Sequence, residues 1–293
     1  MSSSVTISIV TNSMITVAKA VGWAMTGSPT LFAEMVHSIA DVGNQVLLKL
    51  GEVRANGAAS EQHPFGRGQE RYFWALVSAV SVFFLGCGVT IYHGIHSLLV
   101  PGEIAPFTTL PLGLLLFSLA LESFTFVTAW KEIGGWRGLK ENRSNTAVLA
   151  VLLEDAVALL GIGLTLLVAG LSLAYGSMPV LDASISIVVG LILGGMAMFL
   201  ANLNRRLLID VADIDLNHAL TERLQKEAGV TDSGSVSVSS LIVDEGHYVV
   251  FVRIKRGGDM NGETSRQLGN ELKRHAATLN KRVDAVYWKF PAA

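Results

Sequence analysis

Apolar positions dominate the first two-thirds of the chain, in runs of twenty residues or more broken by short polar connectors. A membrane-crossing helix needs about 20 mostly apolar residues. Six stretches meet that length, near 5–25, 30–53, 72–99, 110–130, 144–174 and 179–203. The connectors "GSP" (27–29), "PGEIAP" (101–106) and "YGSMP" (175–179) carry turn residues. After about residue 206 the pattern changes. "LNHALTERLQKEAG" has helical periodicity and ends on a Gly stop signal. "SVSVSSLIVDEGHYVVFVRIKR" alternates as two strands joined at Glu245-Gly246. "NGETSRQLGNELKRHAATLN" reads as a second helix and "VDAVYWKF" as a last strand. The expected architecture is an α-helical membrane protein: six spans over 1–205, then a cytoplasmic α-β-β-α-β domain over 206–293. About 88 residues suffice for one small core.

Composition agrees with the pattern. Of 293 residues, 51% are hydrophobic and 16% charged, against about 25% charged in soluble domains. Residues 206–293 hold twelve Lys/Arg and twelve Asp/Glu, which marks the tail as solvated. Neither the net charge of −2 nor any polybasic run points to nucleic acid. The single Cys87 excludes an intramolecular disulfide. The N-terminus "MSSSVTISIV" lacks a charged signal-peptide n-region and is expected to stay as helix.

Loop charges alternate. Connectors 27–29, 101–106 and 175–179 contain no Lys or Arg. The intervening loops carry Arg54, Arg67 and Arg71, then Lys131, Arg137, Lys140 and Arg143, and the sixth stretch ends at Arg205 and Arg206. Cytoplasmic loops hold the Lys/Arg excess, so both termini are expected in the cytoplasm, with the plasma (inner) membrane as location.

Ionisable residues inside these stretches carry the candidate chemistry. A charge at the bilayer centre costs roughly 2.5–3.5 kcal/mol on insertion scales and marks an ion path, a relay or a structural pair. "LFAEMVHSIADVGNQ" (31–45) places His37 and Asp41 one turn apart on one helix face. Imidazole nitrogen and carboxylate oxygen are ordinary zinc ligands. Glu34 sits on roughly the same face toward the extracytoplasmic end, either as a vestibule acid or solvated at the interface. Asn44 is placed to hydrogen-bond the site from one turn below. The fifth stretch has adjacent Glu154 and Asp155, about 100° apart on a helix, so one of them is expected to face a shared site. Glu122 lies at mid-depth in the fourth stretch, as a ligand or as a partner of Lys19. Lys19 reads as a paired or snorkelling residue. Asp182 reads as a charge at a helix N-terminus.

These residues resemble the cation diffusion facilitators. "HSIADVGNQ" is similar to the metal-site helix of that family, and "HPFGRGQERYFW" (63–74) to the loop that leads into its third span. Six spans with an α-β-β-α-β tail match as well, and "LLED" in the fifth span resembles the branch that includes mitochondrial zinc exporters. The resemblance implies a ferredoxin-like tail and a homodimer that exports a divalent metal, usually zinc, against protons. The metal is cargo, and no cofactor is implied. It places His37, Asp41 and Asp155 among the ligands, with the fifth-span histidine of typical zinc members replaced by Val151. A fourth ligand would come from Glu122, Glu154, Asn44 or water. An oxygen-rich set also suits manganese, cobalt or iron. Of the loop histidine pair, His63 is kept and the second position is Arg67, which is expected to pair with an acid such as Glu70. His218, His247 and His275 form no close cluster, so the tail is expected to serve dimerisation.

Two rival classes fit the sequence less well. An intramembrane metalloprotease would need the glutamate base of HExxH, which "HSIAD" lacks. A membrane scaffold or metal sensor that does not transport would leave the buried acids unexplained.

Overall fold

A computed structural model describes residues 2–102, 104–135, 146–209, 212–228, 236–244, 246–254 and 262–289. Arg137, Lys140, Arg143, Gly229 and Glu245 lie outside the described residues, as does the side chain of Val151.

Six long helices come first: α1 (Ser2–Thr26), α2 (Pro29–Ala55), α3 (Glu70–Leu99), α4 (Thr109–Glu132), α5 (Thr146–Tyr175) and α6 (Pro179–Leu208). Their ends fall within a few residues of the sequence expectation, because Gly and Pro punctuate the connectors. Gly27 and Gly176 adopt the left-handed backbone (φ 67° and 92°) that ends a helix without a Cβ clash. Four described segments are long and apolar enough to cross a membrane: Glu70–Leu99, Thr109–Lys131, Leu152–Tyr175 and Pro179–Leu208. α2 is less apolar than these four, because Glu34, His37, Asp41, Asn44 and Gln45 interrupt its apolar residues. Within α3, Val82–Gly88 winds as a π-helix, a local widening often found near functional sites.

The chain divides into two compact units. The first holds Met1–Glu52 and Phe73–Asn204; the second holds Val53–Tyr72 and Arg205–Ala293.

In the first unit α4 packs on α1 and α5. One apolar cluster joins Ala33 of α2, Ala79, Val82 and Cys87 of α3, and Val189, Leu193 and Ala197 of α6. A second joins Leu31, Phe107, Leu115, Ile162 and Ala169. α3 and α6 touch through glycines. A methyl at Gly190 would lie 2.8 Å from Ile91 Cγ1, one at Gly194 2.6 Å from Cys87 Sγ, and one at Gly94 2.6 Å from Ile187 Cγ1. Gly190 and Gly194 make a GxxxG step, the small-residue device that lets membrane helices approach closely. Large apolar side chains such as Leu99, Phe84, Phe124 and Leu191 point outward, while Lys19, Glu34 and His37 are at most 1% exposed. That reverses the soluble pattern and fits a lipid-facing surface around a polar interior.

The second unit contains α7 (Ile214–Ala228), β1 (Val236–Asp244), β2 (His247–Ile254), α8 (Gly262–Thr278) and β3 (Arg282–Lys289). The sheet order is β1-β2-β3, antiparallel then parallel. β1 and β2 alternate: Val236, Val238, Tyr248, Val250 and Val252 share one core with Leu216, Leu220 and Leu224 of α7 and Leu272 and Ala276 of α8. Asp213 caps α7 by accepting the Leu216 N–H at 2.9 Å. The Lys281 ammonium also donates to Asp213 at 2.5 Å, and the Asp213 N–H donates to Ser240 Oγ at 3.0 Å. Burial works to raise the Asp213 carboxyl, but the bonds from Lys281 and Leu216 outweigh it and hold it below its usual range. Burial and the Asp213 charge push the Tyr248 hydroxyl up.

The connector 53–72, read from the sequence as a loop within the 1–205 transmembrane part, belongs to this second unit. Tyr72 is 2% exposed within its core. Arg71 Nε lies 3.4 Å from Asp244 Oδ1, and Gly68 is seated against Asp244 and the Val243 carbonyl. The Glu70 N–H donates to the Arg67 carbonyl at 2.9 Å, while the Arg67 stem covers Gly57.

Candidate metal centre

Buried polar residues of α1 to α5 gather inside the first unit. On α2, His37 Nε2 stands 3.5 Å from Asp41 Oδ2, as the i, i+4 spacing requires. One turn further, the Asn44 amide donates to Glu154 of α5, and Ser78 of α3 donates to the Asn44 carbonyl oxygen. Asn44 thereby ties three helices together and fixes the Glu154 carboxylate. Asp155 lies within reach of Thr125 of α4 and within electrostatic range of both Glu122 and Asp41. Both adjacent acids thus meet groups on neighbouring helices, Glu154 at Asn44 of α2 and Asp155 at α4. Asp41 lies within electrostatic range of Glu154, Glu122 and Asp155, and of Lys19.

Lys19 organises a second group. Its ammonium is 2.8 Å from Glu34 and 3.5 Å from Glu122, and the lysine is 1% exposed. A snorkelling lysine would reach headgroups; this one is enclosed by two carboxylates. Glu34 is 0% exposed, so it is not an interfacial acid. Gly161 of α5 leaves room for the Glu34 carboxylate and none for a methyl group. Glu122 is thus engaged by Lys19, the alternative the sequence left open beside a ligand role. Among the described residues, no three His, Cys, Asp or Glu side chains converge closely enough to hold a metal ion. The His37–Asp41 pair, with Glu154 and Asp155 across from it, is the arrangement that comes nearest.

Asp182 caps a helix, but not its own. Its Oδ1 accepts the Thr30 N–H of α2 at 2.8 Å. The sequence signals a charge near a helix start; which start it serves depends on α6 lying beside α2.

A family model for the cation efflux transmembrane domain matches residues 5–209. The chain belongs to the cation efflux, or cation diffusion facilitator, family. Among the relatives of this chain is metal tolerance protein C4 of Arabidopsis thaliana, 31% identical over 273 residues, with 86% of this chain and 55% of that one covered. The mitochondrial proton-coupled zinc antiporter SLC30A9 of Xenopus laevis is 32% identical over 254 residues, 83% of this chain and 44% of the relative. SLC30A9 of Homo sapiens is 30% identical over 268 residues, 88% and 46% respectively. The chain spans about half the length of the curated relatives it matches. As a member of this family it is a multi-pass membrane protein, and its buried acids fall in the matched region.

Proposed function

We propose that this protein exports a divalent metal cation, zinc before others, through a site formed by His37, Asp41, Asp155 and Glu154. The carrying observation is the charge imbalance inside the first unit. Glu34, Glu122 and Asp41 lie within electrostatic range of Lys19, and Glu154 and Asp155 within range of Asp41, so five acids share one ammonium. Buried carboxylates without a counter-charge are costly. Cations or protons must balance them, and a divalent ion between His37, Asp41 and the α5 acids does so directly. Membership of the cation efflux family and the zinc antiporters among the relatives support the choice of cargo.

Exchange with protons follows from ligand chemistry. Imidazole and carboxylate bind metal only when deprotonated, so metal and protons compete for the same atoms. A bundle of six spans that opens to each face in turn converts that competition into antiport. The loop charges support an inner-membrane orientation with both termini cytoplasmic. The α+β unit, with 53–72 folded into it, is assigned a dimerising role in a homodimer. The oxygen-rich ligand set supports a second reading of cargo: manganese, cobalt or iron.

The test is flux in sealed vesicles carrying the purified protein. Zinc, manganese, cobalt and iron are compared under an imposed pH gradient. Asp41→Asn and Asp155→Asn are expected to cut zinc flux at least tenfold and His37→Ala by a similar factor. Wild-type flux in all three would overturn the site, and flux indifferent to the pH gradient would overturn the antiport.

A further inference from the structure

The far end of the first unit, away from the Arg-bearing connector, holds a cavity of about 210 Å³ lined by His93, His96 and Ser97 of α3, Gly27 before α2, Pro29 at the start of α2, and Pro179 at the start of α6. His93 and His96 are three residues apart, so their rings share one helix face. The His93 ring stacks on Phe32 of α2 with centroids 3.8 Å apart. His93 Nδ1 is shielded from solvent and makes no hydrogen bond. His96 is exposed at the rim. Asp182, 1% exposed, lies within electrostatic range of His93. The connectors at this end, 27–29, 101–106 and 175–179, contain no Lys or Arg to repel a cation.

We infer that His93 and His96 form a second, weaker site for a divalent transition-metal ion, at the mouth of the helix bundle. Two imidazoles on adjacent turns select zinc, cobalt or nickel over magnesium and calcium. No third His, Cys, Asp or Glu closes on the pair among the described residues, so water completes the shell. A shell of that kind exchanges quickly, which suits a way-station and not a store. Its position fits the role. Phe32, against which His93 stacks, precedes His37 by five residues, or about 8 Å along the helix axis. His93 thus stands about one and a half turns of α2 from His37, on the side of this end. As a stop for cargo the site rests on the export reading; as a binding site it does not.

The test is equilibrium titration of the purified full-length protein with zinc, and with cobalt followed by its visible absorption. The background carries Asp41→Asn and Asp155→Asn to remove the transport site. This background is expected to keep a zinc equivalent that His93→Gln abolishes. His96→Gln, at an exposed position that folding tolerates, is expected to weaken it at least tenfold. Unchanged stoichiometry and affinity in both variants would overturn the site. If the two aspartate substitutions alter no binding while the histidine variants still do, the transport-site assignment fails and this inference stands.

Discussion

At the scale of single residues, Lys19 is the cation on which the interior depends. Removing one partner of a buried ion pair leaves an unpaired charge and costs about 3–5 kcal/mol, whereas replacing the whole set with neutral groups can be nearly free. Lys19→Met is therefore expected to lower the thermal unfolding midpoint in detergent sharply. Lys19→Met with Glu34→Gln and Glu122→Gln is expected to recover most of the loss. Equal midpoints for the single and triple variants would show that the three side chains do not act as a set. Asp213 plays the corresponding part in the second unit. Its carboxyl is held below the usual value near 3.8, so the folded state gains from the ionised form above about pH 4 and loses that gain as pH falls through the depressed value. Lys281→Met is expected to remove part of this contribution at neutral pH and to flatten the acid limb. Amide exchange of β1 and β2, followed from pH 7 to pH 3, checks both expectations.

Among elements, periodicity and punctuation made the helices, the hairpin and the closing strand legible in the sequence. His37 and Asp41 were legible as a pair because four-residue spacing on a helix fixes their distance. Most partnerships across elements lay beyond reach. Lys19 was offered as one of two roles for Glu122, but nothing in "AKAVGW" says that Glu34 joins them, since that depends on how α1 packs against α2. Asp182 reads as a local charge until α2 is set next to α6. Glu154 and Asp155 both turn to protein because α5 is enclosed on two sides, by α2 and α3 on one and α4 on the other. Connector 53–72 was read as a loop because its hold on the β1 end, through Gly68, Arg71 and Tyr72, is long-range in sequence. Gly68→Ala has no space beside Val243 and Asp244. Overpacking of this kind costs typically about 1–3 kcal/mol. The variant is expected to raise amide exchange across 60–72 and β1; unchanged exchange would mean the connector yields without loss.

For the whole molecule, orientation makes the most direct prediction. With Cys87 replaced by Ala, a cysteine at Ser60 and one at Ala105 are expected to react with an impermeant thiol reagent from opposite faces of the membrane. Ser60 and Ala105 bracket α3, a helix long and apolar enough to cross once, so labelling of both from one face would refute the six-span arrangement. The same cysteines measure sidedness in cells: position 60 is expected to be protected from outside and position 105 open.

The glycine contacts between α3 and α6 bear on how such a bundle can move. With Ile91, Cys87 and Ile187 filling the places where side chains of Gly190, Gly194 and Gly94 would stand, the two helices mesh like a key in its keyway. Sliding one past the other by a single residue would drive bulk into backbone. A pair so locked behaves as one stiff strut. Any shear that opens the interior to one face and then the other is left to the polar seams among α1, α2, α4 and α5, where ion pairs and hydrogen bonds can break and re-form in steps.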